Sequence, residues 1–203
     1  MEAGASSNSL ADAAGRHPVG LIVTDDLRRS RLTVFFRLLL AIPQFIWLYI
    51  WSIPVTFTVL FAWFAAVVTG RVPDGLHNFN AAFLRYSTRV TGYVFLLADP
   101  WPPFTTSPPY PIDARVDPAA PQSRLTVFFR LILAIPALIL VYVFRAVNQI
   151  VAFFAWFYCL VVGQMHEGMR NLSAWLLRYE VQTYAYLMLL TGRYPSLAGA
   201  PTA

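Results

Sequence analysis

The stretch SRLTVFFRLLLAIP at residues 30–43 returns as SRLTVFFRLILAIP at residues 123–136, with Ile132 in place of Leu39 as the one change. The offset is 93, and at that offset Pro18–Phe104 aligns without a gap onto Pro111–Leu197, with 33 identities in 87 positions. Self-similarity on this scale is an internal duplication, and it decides the architecture before any single element does. The chain divides into a tail at 1–17, unit one at 18–104, part of a Pro-rich linker at 105–110, unit two at 111–197 and a tail at 198–203.

Composition sets the class. Of 203 residues, 58% are hydrophobic and 12% charged, and the mean hydropathy is +0.56. A soluble domain carries about 25% charged residues. These values exclude a disordered chain, a disulfide scaffold and an ordinary soluble enzyme, and they indicate an integral membrane protein. Cys159 is the single cysteine, so no internal disulfide can form. All fifteen basic residues are Arg, against ten acids, for a net charge of +5. Arg binds phosphate bidentately, where Lys acts as a point charge. Anionic lipid headgroups are therefore the expected partners, and no nucleic acid is.

Each unit reads in the same order. Val19, Leu21 and Val23, like Ile112, Ala114 and Val116, alternate with period two, and the two short strands this predicts can pair with each other. A long apolar tract follows. Leu38 to Gly70 contains no charge. One helix from Leu32 to Gly70 would be roughly 58 Å long, nearly twice the ~30 Å hydrocarbon core. The reading is therefore a transmembrane helical hairpin in each unit. The turns fall at Trp51–Pro54 and at the polar stretch Phe144–Gln149, because Pro disrupts a helix interior and charge belongs at headgroup level. The four spans are 32–51, 54–70, 125–144 and 147–163. Gly70 and Gly163 suit helix ends.

A third helix in each unit, near 74–97 in unit one, has a mixed character. Leu76, Phe79, Phe83, Tyr86, Val90, Tyr93, Val94 and Leu97 form an apolar stripe opposite His77, Asn78, Arg85, Thr88 and Arg89. In unit two the stripe runs from Leu172 to Leu190, opposite Arg170, Asn171, Arg178 and Gln182. Such a helix is expected to lie along the membrane interface. The fold class is then an all-α membrane protein of two tandem repeats. Each repeat has a short strand, a transmembrane hairpin and an amphipathic interfacial helix, with about four transmembrane helices in total. The linker from Asp99 to Gln122 holds eight prolines and should be extended and exposed. Residues 1–17 read as a disordered tail with no signal-peptide pattern. Two hairpins place both termini and fourteen of the fifteen arginines on one side, which the positive-inside rule assigns to the cytoplasm of the inner membrane. The repeats are then parallel, about an axis along the membrane normal.

The residues RLTVFFRLLLAIP, FAWFAAVVTG and LRYSTRVTGYVFLLADPWPPF resemble the membrane family catalogued as domain of unknown function 4389. RLTVFFRLILAIP, FAWFYCLVVG and LRYEVQTYAYLMLLTGRYP form a second copy. Unit two departs from the pattern at its end, where Tyr194-Pro195-Ser196-Leu197 lacks the second Pro and the Phe, and it has Gln182 where unit one has Arg89. The resemblance implies a multi-pass membrane protein, often bacterial. It carries no activity.

The search for chemistry finds little. His17, His77 and His166 share no repeat position, so no metal site is expected. No Gly-x-Ser-x-Gly, Cys-His pair or Gly-rich phosphate loop is present, so neither an enzyme nor a cofactor is expected. The candidate site residues are lipid-headgroup contacts: Arg31, Arg37, Arg85, Arg89, Arg124, Arg130 and Arg178. The expected function is a scaffold or accessory subunit of a membrane complex, with room for a protein partner and for self-association. The alternative is transport of a small or lipid-like solute. It predicts a cavity lined by Thr56, Thr58, Asn148 and Gln149. An enzyme would instead bring Asp74, His77 and Arg85 into one cleft.

Overall fold

A computed structural model describes residues 16–106 and 108–198. Both tails therefore lie almost wholly outside the described residues. The element order is β1 (Val19–Val23), α1 (Arg31–Thr69), α2 (Asp74–Val94), β2 (Ile112–Val116), α3 (Arg124–Phe128), α4 (Arg130–Val162) and α5 (Glu167–Leu187).

The hairpins expected from the sequence are not there. α1 is one continuous helix of 39 residues, and α4 is one of 33. At ~1.5 Å per residue they are roughly 58 and 50 Å long. Among the described residues two, rather than four, helices are long and apolar enough to cross a membrane. Pro43 and Pro54 lie inside α1 and Pro136 inside α4 without ending them. Near Pro43, the Trp101 indole donates to the Leu40 carbonyl at 3.0 Å and ties the segment after α2 to this part of α1. The polar stretch at 145–149 is absorbed by neighbouring helices rather than by a turn.

Gly70 and Gly163 end the long helices in the left-handed conformation, with φ of 78° and 77°. The chain then reverses, so α2 runs back along α1 and α5 back along α4. Trp51 packs on Phe79, Phe83 and Tyr86, and Thr58 donates to Asn80 at 2.6 Å. In unit two, Phe144 packs on Trp175 and Tyr179.

The two units meet about a pseudo-two-fold axis. Trp63 Nε1 donates to the Val127 carbonyl at 3.1 Å, and its repeat mate Trp156 Nε1 donates to that of Val34 at 2.9 Å. Likewise Gln122 N donates to Gly70 O, and Arg29 N to Gly163 O. The start of each long helix thus lies against the end of the other, and α1 and α4 run antiparallel. The strands pair antiparallel in the register Val19↔Val116, Leu21↔Ala114, Val23↔Ile112. Leu21 and Ala114 are repeat mates, so the axis passes between them. It crosses the ribbon at its centre and the long helices near their midpoints.

The result is three layers: the long helices α1 and α4, then α2 and α5, then the ribbon. The core under the ribbon is built from Val19, Leu21, Ile112 and Ala114 against Leu84, Leu177, Val181 and Ala185. The strands change places: β1 packs on α5 of unit two and β2 on α2 of unit one. This corrects the interfacial reading of the third helices. Both sides of α2 and α5 are covered, and His77, Thr88, Arg89, Arg178 and Gln182 on the polar side are buried. The linker is also not exposed throughout. Tyr110 and Ile112 are buried, and Gln44 ties Pro102 O to α1 at 2.7 Å.

Gly92 of α2 lies directly under the ribbon. A Cβ there would meet Ile112 Cγ2 at 2.9 Å. Its repeat mate is Ala185, and the strand residue corresponding to Ile112 is the smaller Val19. Gly92→Ala should therefore destabilise the protein by about 1–2 kcal/mol through overpacking, despite alanine's better helix propensity. Adding Ile112→Val should restore most of the loss in a thermal-unfolding double-mutant cycle. Additive effects would show that the two positions do not compete for space.

Candidate functional site

The long helices present one apolar face. On α1, residues such as Leu32, Leu38, Ile46, Ile53, Phe61 and Val68 are exposed. On α4, Leu131, Ile139, Ile150 and Val161 are. Buried α1 residues, among them Val34, Arg37, Ala41, Gln44, Ala62 and Ala66, recur three and four apart and so face α2 and the partner unit. The face is continuous over the whole helix length. An exposed apolar surface of that extent is not stable against water. The charged ribbon residues Asp113, Arg115 and Asp117 lie on the opposite side of the molecule.

The seven candidate arginines separate into two groups. Arg37, Arg89, Arg130 and Arg178 are buried, at 2%, 1%, 2% and 5% exposure, and bond to protein rather than projecting toward headgroups. Arg37 donates to Tyr93 O at 2.5 Å, Ala98 O at 2.9 Å and Asp99 Oδ1 at 3.0 Å, with its guanidinium over the Tyr93 ring. Arg130 repeats this with Tyr186 O at 2.7 Å and Thr191 O at 3.0 Å, but Gln122 Oε1 at 2.5 Å stands where the carboxylate was. Arg89 binds Thr106 O at 2.9 Å and Asp113 at 2.7 Å and so pins α2 to the ribbon. Arg178 holds the C-terminal segment through the carbonyls of Ser196, Leu197 and Ala198. Arg85 is partly exposed. Arg31 and Arg124 are exposed at the starts of α1 and α3. Arg31 reaches Val161 O at 2.9 Å, and each of these two packs over the glycine that ends the other unit's long helix.

Arg29 is a member of this set that the sequence reading passed over. It grips Asp25 with both terminal nitrogens and donates to Leu96 O at 2.8 and 2.9 Å. Leu96 has a φ of 60°, a left-handed conformation that costs a leucine strain. Its repeat mate Leu189, φ 62°, is held the same way by Gln122 at 2.8 Å. The 93-residue offset pairs Arg29 with Gln122, which was the available signal.

The other candidates scatter. Asp74 is exposed and pairs with Arg71 at 3.0 Å, while His77 is buried against Leu190 O. His166 caps α5 by accepting from Gly168 N, and His17 contacts Val19 and Tyr194 carbonyls. Tyr86, buried and donating to Gln44, has its phenol pushed up to about 12 by desolvation.

The open feature lies between the long helices near the axis. A cavity of about 540 Å³ is walled by Arg37, Leu38 and Phe45 of α1 and by Arg145, Gln149, Ala152, Phe153 and Trp156 of α4. Its floor is Thr91 and Val94 at the end of α2 with Phe95 and Leu96 just after it. A second cavity of about 370 Å³ adjoins it and shares Thr91 and Arg145. Gln149 thus lines the space foreseen for a solute. Thr58 instead bonds to Asn80, Asn148 is buried, and Thr56 is exposed and donates to its own helix at Ser52 O. Arg145 is not at a turn but at mid-helix in this groove, half-exposed, 3.6 Å from the buried carboxylate of Glu180.

Burial pushes the Glu180 carboxyl up, and the Arg145 charge only partly offsets it. A raised value means that the folded protein holds the proton more tightly than the unfolded chain does. The associated stability is complete below the ordinary glutamate value of 4.5 and falls away as pH rises through the shifted one. Glu180→Gln should flatten that decline. Parallel pH profiles of melting temperature for the two proteins would show that Glu180 is not its source.

A comparison with curated proteins and with solved structures returns no match. The family described as domain of unknown function (DUF4389) matches twice, over residues 31–106 and 124–198. These stretches cover the helices and the strapped segments after α2 and α5. They omit the ribbon strands. The matched stretches make up most of the chain, and the protein belongs to the DUF4389 family, carrying two copies of its domain.

Proposed function

We propose that the protein is a non-enzymatic membrane component that lies in one leaflet, with α1 and α4 flat in the outer part of the hydrocarbon and the ribbon in water. The observation that carries this reading is the single apolar face of the two long helices, set opposite a charged ribbon that crosses them at mid-length. If the helices stood upright, their ~50–58 Å would exceed the ~30 Å core. The ribbon would then sit near the bilayer centre, where each charge costs several kcal/mol. Lying flat, the apolar face meets the acyl chains and the pseudo-two-fold runs along the membrane normal. Exposed Arg31 and Arg124, at opposite ends of the raft, are at the level of phosphate headgroups. The excess of arginine favours the cytoplasmic leaflet of the inner membrane. A platform of this shape suits a scaffold or accessory subunit that holds a protein partner over an anionic lipid surface.

Cysteine accessibility tests the orientation. Asp26 and Arg71 are exposed and lie at opposite ends of the long helices. In a Cys159→Ala background, Asp26→Cys and Arg71→Cys should both react with an impermeant maleimide from the same side of sealed vesicles. Labelling from opposite sides would establish crossing helices and an inverted repeat, and would overturn the in-plane reading.

A further inference from the structure

We propose that the groove between α1 and α4 binds a single-chain amphiphile with an anionic oxygen headgroup, which Arg145 receives. The cavity of about 540 Å³ falls in the range of small-molecule sites, and its wall is mostly apolar. α2 closes the bottom, so the opening is toward the apolar face, between Phe45 and Phe153, both of which are exposed there. The occupant therefore enters from the acyl-chain side and must be largely hydrocarbon. This access route rests on the membrane-seated reading above.

The headgroup chemistry follows from Arg145. It stands where the two cavities join, the one cation among the residues that line both. Glu180 approaches it at 3.6 Å, well beyond the ~2.8 Å of a close charge-assisted hydrogen bond. Half the side chain is open to the groove. An arginine fork in an apolar groove, loosely countered from one side, is matched by a carboxylate or phosphate on the other.

The repeat provides an internal control. The mates of Arg145, Glu180 and Gln149 are Ser52, Ser87 and Thr56. Ser52 and Ser87 line the same second cavity from the other side of the axis. If Arg145 and Glu180 served only to join a long helix to the helix that follows it, the symmetric positions on α1 and α2 would satisfy the same need. They are instead small hydroxyls, and where unit one has Thr91 unit two has the larger Tyr184, which bonds Arg145. Arg145 thus stands on one side only of a groove that the duplication would otherwise have made symmetric. Arg37, the other cation lining the first cavity, is buried and taken up by Asp99 and two carbonyls.

The experiment uses the full chain purified in dodecylmaltoside, titrated with 9,10-dibromostearate, with quenching of tryptophan fluorescence as the readout. Trp156 lines the groove, and Trp156→Phe should remove most of the saturable quench. The methyl ester of the same acid measures chain binding without the charge. Arg145→Gln should weaken binding of the acid about tenfold or more, to the level of the ester, while leaving the ester unaffected. Glu180→Gln should tighten it by removing the competing carboxylate. A brominated lysophosphatidate run in parallel identifies the headgroup by which of the two binds more tightly. Equal binding of acid and ester to the wild type, or wild-type affinity in Arg145→Gln, would overturn the site. If Arg145→Gln does not fold, Ala152→Phe fills the groove and spares the ion pair. It should abolish the quench by acid and ester alike, and an unchanged quench would overturn the site. Flotation on vesicles separates this from the membrane reading. Arg145→Gln should float like the wild type, whereas a wild type that does not float refutes the membrane seat and leaves the detergent result to judge the groove.

Discussion

Arg37→Met should cost about 3–5 kcal/mol, and the matching Arg130→Met only about 1–3 kcal/mol, although the two arginines occupy the same repeat position. Both are fully buried and both brace the end of the following helix through two carbonyls. They differ in the third partner. Asp99 faces Arg37, whereas its repeat mate is Gly192, and the neutral Gln122 serves Arg130 instead. Removing one member of a buried ion pair leaves an uncompensated charge, while removing a donor from neutral acceptors leaves only their desolvation. Asp99 keeps 27% of its side chain exposed, so partial hydration holds the first figure to the lower half of its range. Adding Asp99→Asn to Arg37→Met should recover much of the loss. Thermal or denaturant unfolding in detergent measures all three. Equal losses for Arg37→Met and Arg130→Met would mean that Asp99 contributes nothing to the difference.

Ile46→Asp combined with Ile139→Asp should move the protein from the membrane fraction into the aqueous one. These repeat mates are 56% and 60% exposed, in the middle of the apolar face. A carboxylate in that medium costs up to about 3 kcal/mol, or roughly a hundredfold in partitioning for each substitution. Neither side chain packs into the core, so the fold should persist in detergent with little change in melting temperature. Vesicle flotation reads the outcome. A doubly substituted protein that still floats would show that the face between the long helices is not what meets lipid.

The duplication, the strands and their pairing were legible because each rests on local pattern: a constant offset, a period of two, and an even match in length. The αL glycines were legible for the same reason. What failed was the partition of the apolar tracts into hairpins. That step assumed that an apolar helix must match the bilayer thickness, and so it turned Pro54 and Arg145 into turn signals. A proline does not end a helix whose flanks are bound laterally, as Trp51 packing on Phe79, Phe83 and Tyr86 and Thr58 bonding Asn80 bind α1 on either side of Pro54. The position of Arg145 depends on a carboxylate 35 residues away on another helix, which no window on the sequence can connect. The buried arginines were misplaced for a related reason. Composition ranks Arg as a surface residue, and only the tertiary fold shows a ring of main-chain acceptors at helix ends that requires a multivalent donor.

The exchange of strands has a consequence for ancestry. Because β1 covers α5 and β2 covers α2, neither half can close its own interior: each leaves its middle helix bare on the side that the other half's strand protects. A forebear encoding a single half would have existed as a pair of identical subunits, lending strands to each other across a true symmetry axis. Fusion then removed the concentration dependence of that pairing. It also freed the two halves to diverge at the axis, which is where Arg145 and Ser52 now face each other as unlike residues at what was once one position.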